Sequence, residues 1–217
     1  MTLVRPDLED HSAEEVLAYA LREFPARVAV ACSFQKEASV ILDLVMRLDP
    51  ATPVFTLDTH VLFPETYETW RRVEERYGIR VQVYEGPSLA DQAARHGDAL
   101  WAHDPDACCG LRKVGPLEEA LDGVDAWVTG LRRDQSPSRA SARKLNWDAR
   151  HGRWKASPLA DWSERDVWRY IHAHDLPYNP LHDRGYESIG CTHCTRPGAG
   201  RDGRWAGKEK VECGLHR

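Results

Sequence analysis

Short apolar runs alternate with segments of helical period through the first half of the chain. Ser12 is placed to cap a helix reaching about Phe24, with Glu14 and Glu15 near its positive end. Arg27 to Cys32 then reads as a short buried strand, and Ser33-Phe34-Gln35-Lys36-Glu37 as a polar turn into a second helix. That helix is apolar at Val40, Ile41, Leu44, Val45 and Leu48. A second strand covers Pro53 to Leu57 and ends at Asp58-Thr59-His60. Pro64 suits the first position of a third helix and Gly78 its exit. Val81 to Tyr84 and Ala126 to Thr129 complete the strands of this half, the latter ending at Gly130. Strands alternating with helices predict an α/β fold, a parallel sheet with helices on both faces. In such sheets ligands bind beyond the carboxyl ends of the strands, where the polar segments after Cys32, Leu57 and Thr129 are expected to converge.

The pattern weakens in the second half. Leu131 to Arg143 is rich in arginine and serine and reads as a loop. Arg153 to Lys155 fits a short strand, and Ser163-Glu164-Arg165-Asp166 a capping box opening a helix with Val167, Trp168, Tyr170 and Ile171. After Pro177 glycine, proline and charge dominate, and little regular structure is expected.

A length of 217 residues suits one domain with a tail, large enough for a core without disulfide staples. The net charge of -5 argues against a nucleic-acid partner, which would require a basic face. The N-terminal stretch Met1 to Asp7 has no apolar run of signal-peptide length, and no run approaches bilayer length. A cytoplasmic protein without a membrane partner is therefore expected. In that reducing compartment clustered cysteines serve more often as ligands or reactive thiols than as disulfides.

Four of the six cysteines form two tight pairs, Cys108-Cys109 and Cys191-Cys194. Four thiolates suit zinc or an iron–sulfur cluster. The adjacent doublet favours a cubane cluster, whose irons occupy separate corners; two buried thiols with a redox-active Cys-x-x-Cys are the alternative. Arg112 and Lys113 follow about one helical turn on, and a lysine there would offset a cluster's negative charge. Cys213 stands alone, with His216 three residues on and Arg201, Arg204, Lys208 and Lys210 before it. Those cations would lower its pKa and make it a nucleophile; an unreactive tail cysteine is the plainer reading. Cys32 fits the end of a buried strand as a small apolar residue.

The Ser33 to Glu37 turn offers helix-start amides to a phosphate or sulfate oxygen. No Walker sequence and no Gly-x-Gly-x-x-Gly occurs. Gly130 to Ser136, with Arg132 and Arg133, and Arg139 just beyond, supply further donors for an anion.

Taken in order, these segments resemble the assimilatory adenylyl-sulfate and phosphoadenylyl-sulfate reductases over roughly residues 27 to 217. The resemblance is carried by Ser33-Phe34-Gln35-Lys36-Glu37, Leu57-Asp58-Thr59, Cys108-Cys109-Gly110-Leu111-Arg112-Lys113 and Thr129 to Ser136. It continues through Asn179-Pro180-Leu181-His182, Gly190 to Pro197 and Glu212-Cys213-Gly214-Leu215-His216. It implies an adenine-nucleotide α-hydrolase-like fold. Residues 1–195 would form the nucleotide-binding domain with the iron–sulfur site, and 196–217 a mobile tail carrying the catalytic cysteine.

The resemblance further implies that Cys213 attacks the sulfur of an activated sulfate, giving S-sulfocysteine, and that reduced thioredoxin or a glutaredoxin-like dithiol then releases sulfite. Lys113, Arg201 and Arg204 would face the phosphosulfate with His216 nearby. Ser33, Leu57, Asp58 and Thr59 would border the nucleotide; Arg132, Arg133 and Arg139 are expected as further substrate contacts from their place in the loop after the Thr129 strand end. Within the family the four paired cysteines mark the [4Fe–4S] branch, which prefers adenylyl sulfate over its 3'-phosphorylated form. A homo-oligomer is compatible with this reading. One departure is His60, which stands where many relatives have glycine. The rival enzyme class on the same fold, an ATP pyrophosphatase or tRNA thiolase, needs a Ser-Gly-Gly-x-Asp-Ser loop, and residues 33–39 lack both glycines. A non-enzymatic zinc or redox module is the other alternative.

Overall fold

The computed structural model describes residues 6–216. Six strands form one sheet: β1 (Val28–Ala31), β2 (Val54–Asp58), β3 (Gln82–Glu85), β4 (Ala126–Val128), β5 (Leu145–Asp148) and β6 (Arg153–Ala156). Their spatial order is β3-β2-β1-β4-β6-β5. All neighbours pair in parallel except β5, which runs antiparallel to β6 at the edge. The sheet is mostly parallel, as the sequence predicts, with one antiparallel strand at its edge. The cause is a hairpin: β5 and β6 are too close in sequence for the long crossover that parallel strands need.

Alternation along the central strands sorts their side chains onto two faces. Val28, Val30, Val54, Ala126 and Val128 join the larger core, under α1 (Ala13–Glu23), α2 (Lys36–Leu48) and later α8 (Glu164–Ala173). Ala29, Phe55 and Trp127 face the other way. The predicted caps form: Ser12 and Ser163 both make capping boxes, and Gly78 ends α3 (Pro64–Tyr77) at φ +63°. Helix α2 is buried from Lys36 through Val45, so even its polar residues find partners. Asp43, for example, accepts from Tyr170 Oη at 2.9 Å and Tyr77 Oη at 3.3 Å.

Between β3 and β4 lie α4 (Leu89–His96), α5 (Leu100–His103), α6 (Pro105–Cys109) and α7 (Gly115–Ala120). A π-helical turn, Gly110–Val114, joins α6 to α7. Helix α7 covers the second face of the sheet, where Leu117, Ala120 and Leu121 pack with Trp127 and with Leu215 from the far end of the chain. Among the described residues no helix is long and apolar enough to cross a membrane.

Candidate active site

The chain runs from β1 to β3 on one side of the sheet and returns to β4 on the other. Connections on opposite faces part at such a reversal and leave a crevice beyond the strand ends. A cavity of about 230 Å³ lies there. It is lined by the exits of β1 (Cys32 to Ala38), β2 (Leu57, Thr59) and β4 (Thr129 to Arg132), together with Lys113 and the C-terminal segment.

The β1 exit is tightly set. Phe34 takes a left-handed backbone, φ +54°, and buries its ring against Trp70 at 5.3 Å between centroids. Gln35 Oε1 accepts from the Ile189 amide at 2.8 Å. Lys36 donates through Nζ to Glu164 Oε1 at 2.5 Å and to the Glu187 carbonyl at 3.2 Å. The Lys36 amide is already taken by His182 Nε2, at 3.2 Å. Gly130 is required beside α2: a Cβ there would stand 2.7 Å from the Glu37 Cβ.

The predicted residues separate into two groups. Ser33, Leu57, Thr59, Lys113, Arg132, Arg139, Arg201, Arg204, Cys213 and His216 all line the cavity. Asp58 and Arg133 lie outside its lining. Asp58 accepts from Tyr67 Oη and from the His60 amide, both at 2.8 Å, and so holds His60 at φ +60°. This is the glycine-favouring conformation, reached here through a side-chain turn. Arg133 donates to the Ala142 carbonyl at 2.8 Å and pairs with Glu9. Arg132 reaches the cavity wall with its guanidinium already engaged. It meets Glu37 Oε1 at 3.0 Å, the Trp162 carbonyl at 3.1 Å, and Asp134.

Arg201 and Arg204 differ from these. Arg204 donates through Nη1 to Ser188 Oγ and the Ile189 carbonyl, both at 3.2 Å. Gly190 makes room for it, because a Cβ would meet Arg204 Nη2 at 2.3 Å. The Nε groups of both arginines are buried and have no protein acceptor. Burial, reinforced by Arg139 and Arg204, pulls Arg201 down to about 10, which leaves it charged at neutral pH.

Burial would raise the Cys213 thiol, but Lys113, the Leu215 amide, Arg204 and Arg201 outweigh it and hold the pKa below its ordinary value. His216 is pushed well below the usual histidine range by burial, with Lys155, Arg139 and Arg201 adding repulsion. It is therefore neutral, and its ring stacks on Trp127 at 5.6 Å.

Cys108, Cys109, Cys191 and Cys194 line one small adjoining cavity with Arg112, His193, Trp101 and Trp205. Lys113 lines both cavities. Thr59 Oγ1 sits 3.3 Å from Cys191 Sγ. Burial pushes Cys108 up to about 11, with further upward pressure from the other three cysteines. Burial raises Cys109 and Cys194 as well. For Lys113, burial would lower the pKa, but Cys191, Cys213 and Cys109 outweigh it and raise it. Among the described residues no group of three or more His, Cys, Asp or Glu side chains is arranged for a single metal ion.

Sequence reasoning assigned no site role to Arg112, Trp127 or Glu212. Arg112 is 1% exposed and donates to Gln92 Oε1 at 2.7 Å and the Thr59 carbonyl at 2.9 Å, tying the π-helical turn to the β2 exit. Its only signal was its place after the doublet. Glu212 carried a signal, since it neighbours Cys213.

The strand order and the cavity define an α/β protein of nucleotide-binding type. The sequence profile of the phosphoadenosine phosphosulfate reductase domain matches residues 27–197, and the chain belongs to that family. It is 48% identical over 210 residues to the adenosine 5'-phosphosulfate reductase of Lysinibacillus sphaericus, covering 94% of this chain and 90% of the relative. The enzyme of that name from Salinibacter ruber is 44% identical over 222 residues, covering 100% of this chain and 88% of the relative. Among solved structures, a phosphoadenylyl-sulfate reductase from Candida auris in a phosphate complex superposes with a TM-score of 0.78 at 32% identity, covering 87% of this chain and 94% of that one. A Candida glabrata FMN adenylyltransferase shares the fold alone, with a TM-score of 0.62 at 13% identity, covering 91% of this chain and 70% of that one.

Proposed function

We propose that this chain reduces adenylyl sulfate to sulfite and AMP, with Cys213 as nucleophile. One observation carries the reading: a thiol of lowered pKa shares a cavity with Lys113 and with two arginines whose buried Nε groups lack acceptors. Buried unpaired donors beside a lysine suit a doubly anionic ligand. The names of the relatives favour adenylyl sulfate over its 3'-phosphorylated form.

The chemistry follows from the charges. Ser33 and the β2 exit border the nucleotide, and Lys113, Arg201 and Arg204 hold the phosphosulfate. The Cys213 thiolate attacks the sulfate sulfur and forms an S–S bond. The S–O bond to phosphate breaks, and AMP leaves with that oxygen and its electron pair. Cationic side chains stabilise the charge growing on the leaving group. Neutral His216, stacked on Trp127, lines the same cavity as the nucleophile. The product is Cys213–S–SO3⁻. A reduced dithiol, thioredoxin or a glutaredoxin-like protein, then attacks the Cys213 sulfur and expels sulfite. Its second thiol displaces the Cys213 thiolate, and the dithiol leaves as a disulfide. Two electrons thus pass from dithiol to sulfur. That second step requires the C-terminal segment to leave the cavity, so a mobile 196–217 tail belongs to this reading, as does a cytoplasmic setting that keeps the dithiol reduced.

The four thiols suit a [4Fe–4S] cluster in kind. They share one cavity, burial raises the pKa values of Cys108, Cys109 and Cys194, and a thiol so placed yields its proton to a metal. When bound on Cys108, Cys109, Cys191 and Cys194 a cluster would supply fixed charge beside Lys113.

The test is sulfite release by anaerobically purified protein supplied with either nucleotide and reduced thioredoxin, with iron and acid-labile sulfide measured on the same sample. Activity on adenylyl sulfate and loss of sulfite formation in Cys213→Ser, with AMP binding retained, are expected. Full activity in Cys213→Ser would remove the nucleophile assignment.

A further inference from the structure

The C-terminal segment lies against the body through several polar contacts. Lys208 Nζ donates to the Trp101 and Ala102 carbonyls at 2.9 and 2.6 Å, Lys210 pairs with Asp106, and Arg150 Nη1 donates to the Gly214 carbonyl at 2.6 Å. Glu212 differs from these in burial and in what it touches. It is 6% exposed. Arg139 grips its carboxylate with both arms of the guanidinium, Nε to Oε1 and Nη2 to Oε2, each at 2.9 Å. Arg201 Nη2 adds a bond to Oε2 at 3.0 Å, and Ser138 Oγ reaches Oε1 at 3.3 Å. Burial pushes the carboxyl up, but Arg139 and Arg201 outweigh it and hold it below the ordinary glutamate range.

This carboxylate therefore joins three pieces of chain: the loop after β4 through Arg139, the root of the tail through Arg201, and the peptide carrying Cys213. Both arginines line the cavity. A two-armed bond fixes orientation as well as distance, and one residue on, the thiol inherits that placement.

We propose that Glu212 is a positioning residue, a latch that holds Cys213 in the cavity for attack and whose release frees the same thiol for reduction. The proposal deepens the reductase reading and rests on it for the second arm of its test. Latching lowers the cost of ordering the nucleophile before attack. It opposes the second half-reaction, which needs the tail withdrawn. Loosening the latch should then move the two half-reactions in opposite directions, whereas a merely structural role would move them together.

The experiment uses the full chain, purified anaerobically, as wild type, Glu212→Gln and Arg139→Lys. Arg139→Lys keeps the charge and loses the fork, and it covers the case in which one variant folds poorly. The first arm follows alkylation of Cys213 by iodoacetamide against pH; the plateau at high pH reports access to the thiolate and is independent of its pKa. A rise of roughly tenfold in both variants is expected, the size set by losing charge-assisted bonds. The second arm measures single-turnover sulfonation of Cys213 by adenylyl sulfate through intact mass, then cleavage of the isolated sulfonated proteins by dithiothreitol. Sulfonation is expected to slow roughly tenfold or more, with cleavage at least as fast as in wild type. An unchanged alkylation plateau in both variants overturns the latch, and so does equal slowing of both half-reactions. If wild-type protein is never sulfonated while the plateau still rises, the latch stands as a tail anchor and the reductase reading falls.

Discussion

At Cys213 three cations and the Leu215 amide outweigh the burial that would otherwise keep a thiol protonated. Lys113 heads them, and it also faces the four-cysteine cavity. The sign of its effect is testable. The thiolate is the reactive form, so Cys213 alkylation rises with pH and levels off above the thiol pKa. Lys113→Gln removes the leading stabiliser of the thiolate, and the midpoint should move to higher pH while the plateau stays in place. An unmoved midpoint would transfer the effect to Arg201 and Arg204. Residue identity alone did not reveal which arginines keep a buried N–H without an acceptor, as Arg201 and Arg204 do at Nε. Arg132 and Arg133 look equivalent in sequence, yet Arg132 meets Glu37 across 95 positions and Arg133 meets Glu9 across 124. Such long-range partners decide how much of a guanidinium is left for a ligand, and no local pattern records them.

The same limit separates elements that were legible from those that were not. Strands β1, β2 and β4 were readable because central strands buried on both faces are continuous apolar runs. Strand β5, Leu145–Asp148, was missed because an edge strand carries polar residues and leaves Trp147 51% exposed. The short helices α4 to α6 and the π-helical turn have too few turns to show a period, although π-turns often mark functional positions. The site loops were legible as motifs, since each follows a strand end. Their packing against helices was not. Gly130 is the example: its need for hydrogen in place of a side chain comes from α2, 2.7 Å from where a Cβ would sit. Gly130→Ala should push the β4 exit away from Glu37. Overpacking of this kind costs about 1 to 3 kcal/mol, measurable by urea unfolding. Because Glu37 holds Arg132 at the cavity wall, AMP binding measured by calorimetry should weaken in step. Full stability in the alanine variant would show that the loop yields without strain.

For the molecule as a whole, the buried His216 makes the tail's hold on the sheet a matter of pH. His216 is neutral where it docks, stacked on Trp127 and facing Lys155, Arg139, Arg201 and His151. His151, lowered chiefly by burial, stands edge-on to the same tryptophan. A released tail exposes His216 to water, where it titrates near 6.5. Below that pH the released state binds a proton that the docked state refuses, so docking weakens as pH falls. Cys213 acts in the same direction: docking lowers its pKa from 9.0, so above the docked value the released thiol binds more protons, and falling pH again favours release. Glu212 does not oppose this through the neutral range, because its docked carboxyl stays ionised until below 4.5. Its latch therefore persists while the histidine contribution fades. Hydrogen-exchange protection of residues 205–216, corrected for intrinsic exchange, should drop between pH 7.5 and pH 5.5 while the central strands keep theirs. His216→Asn, which cannot titrate, should flatten that slope. If protection at the two pH values is the same in wild type, the buried histidine does not govern docking, and the anchoring must rest on Glu212, Lys208 and Arg150.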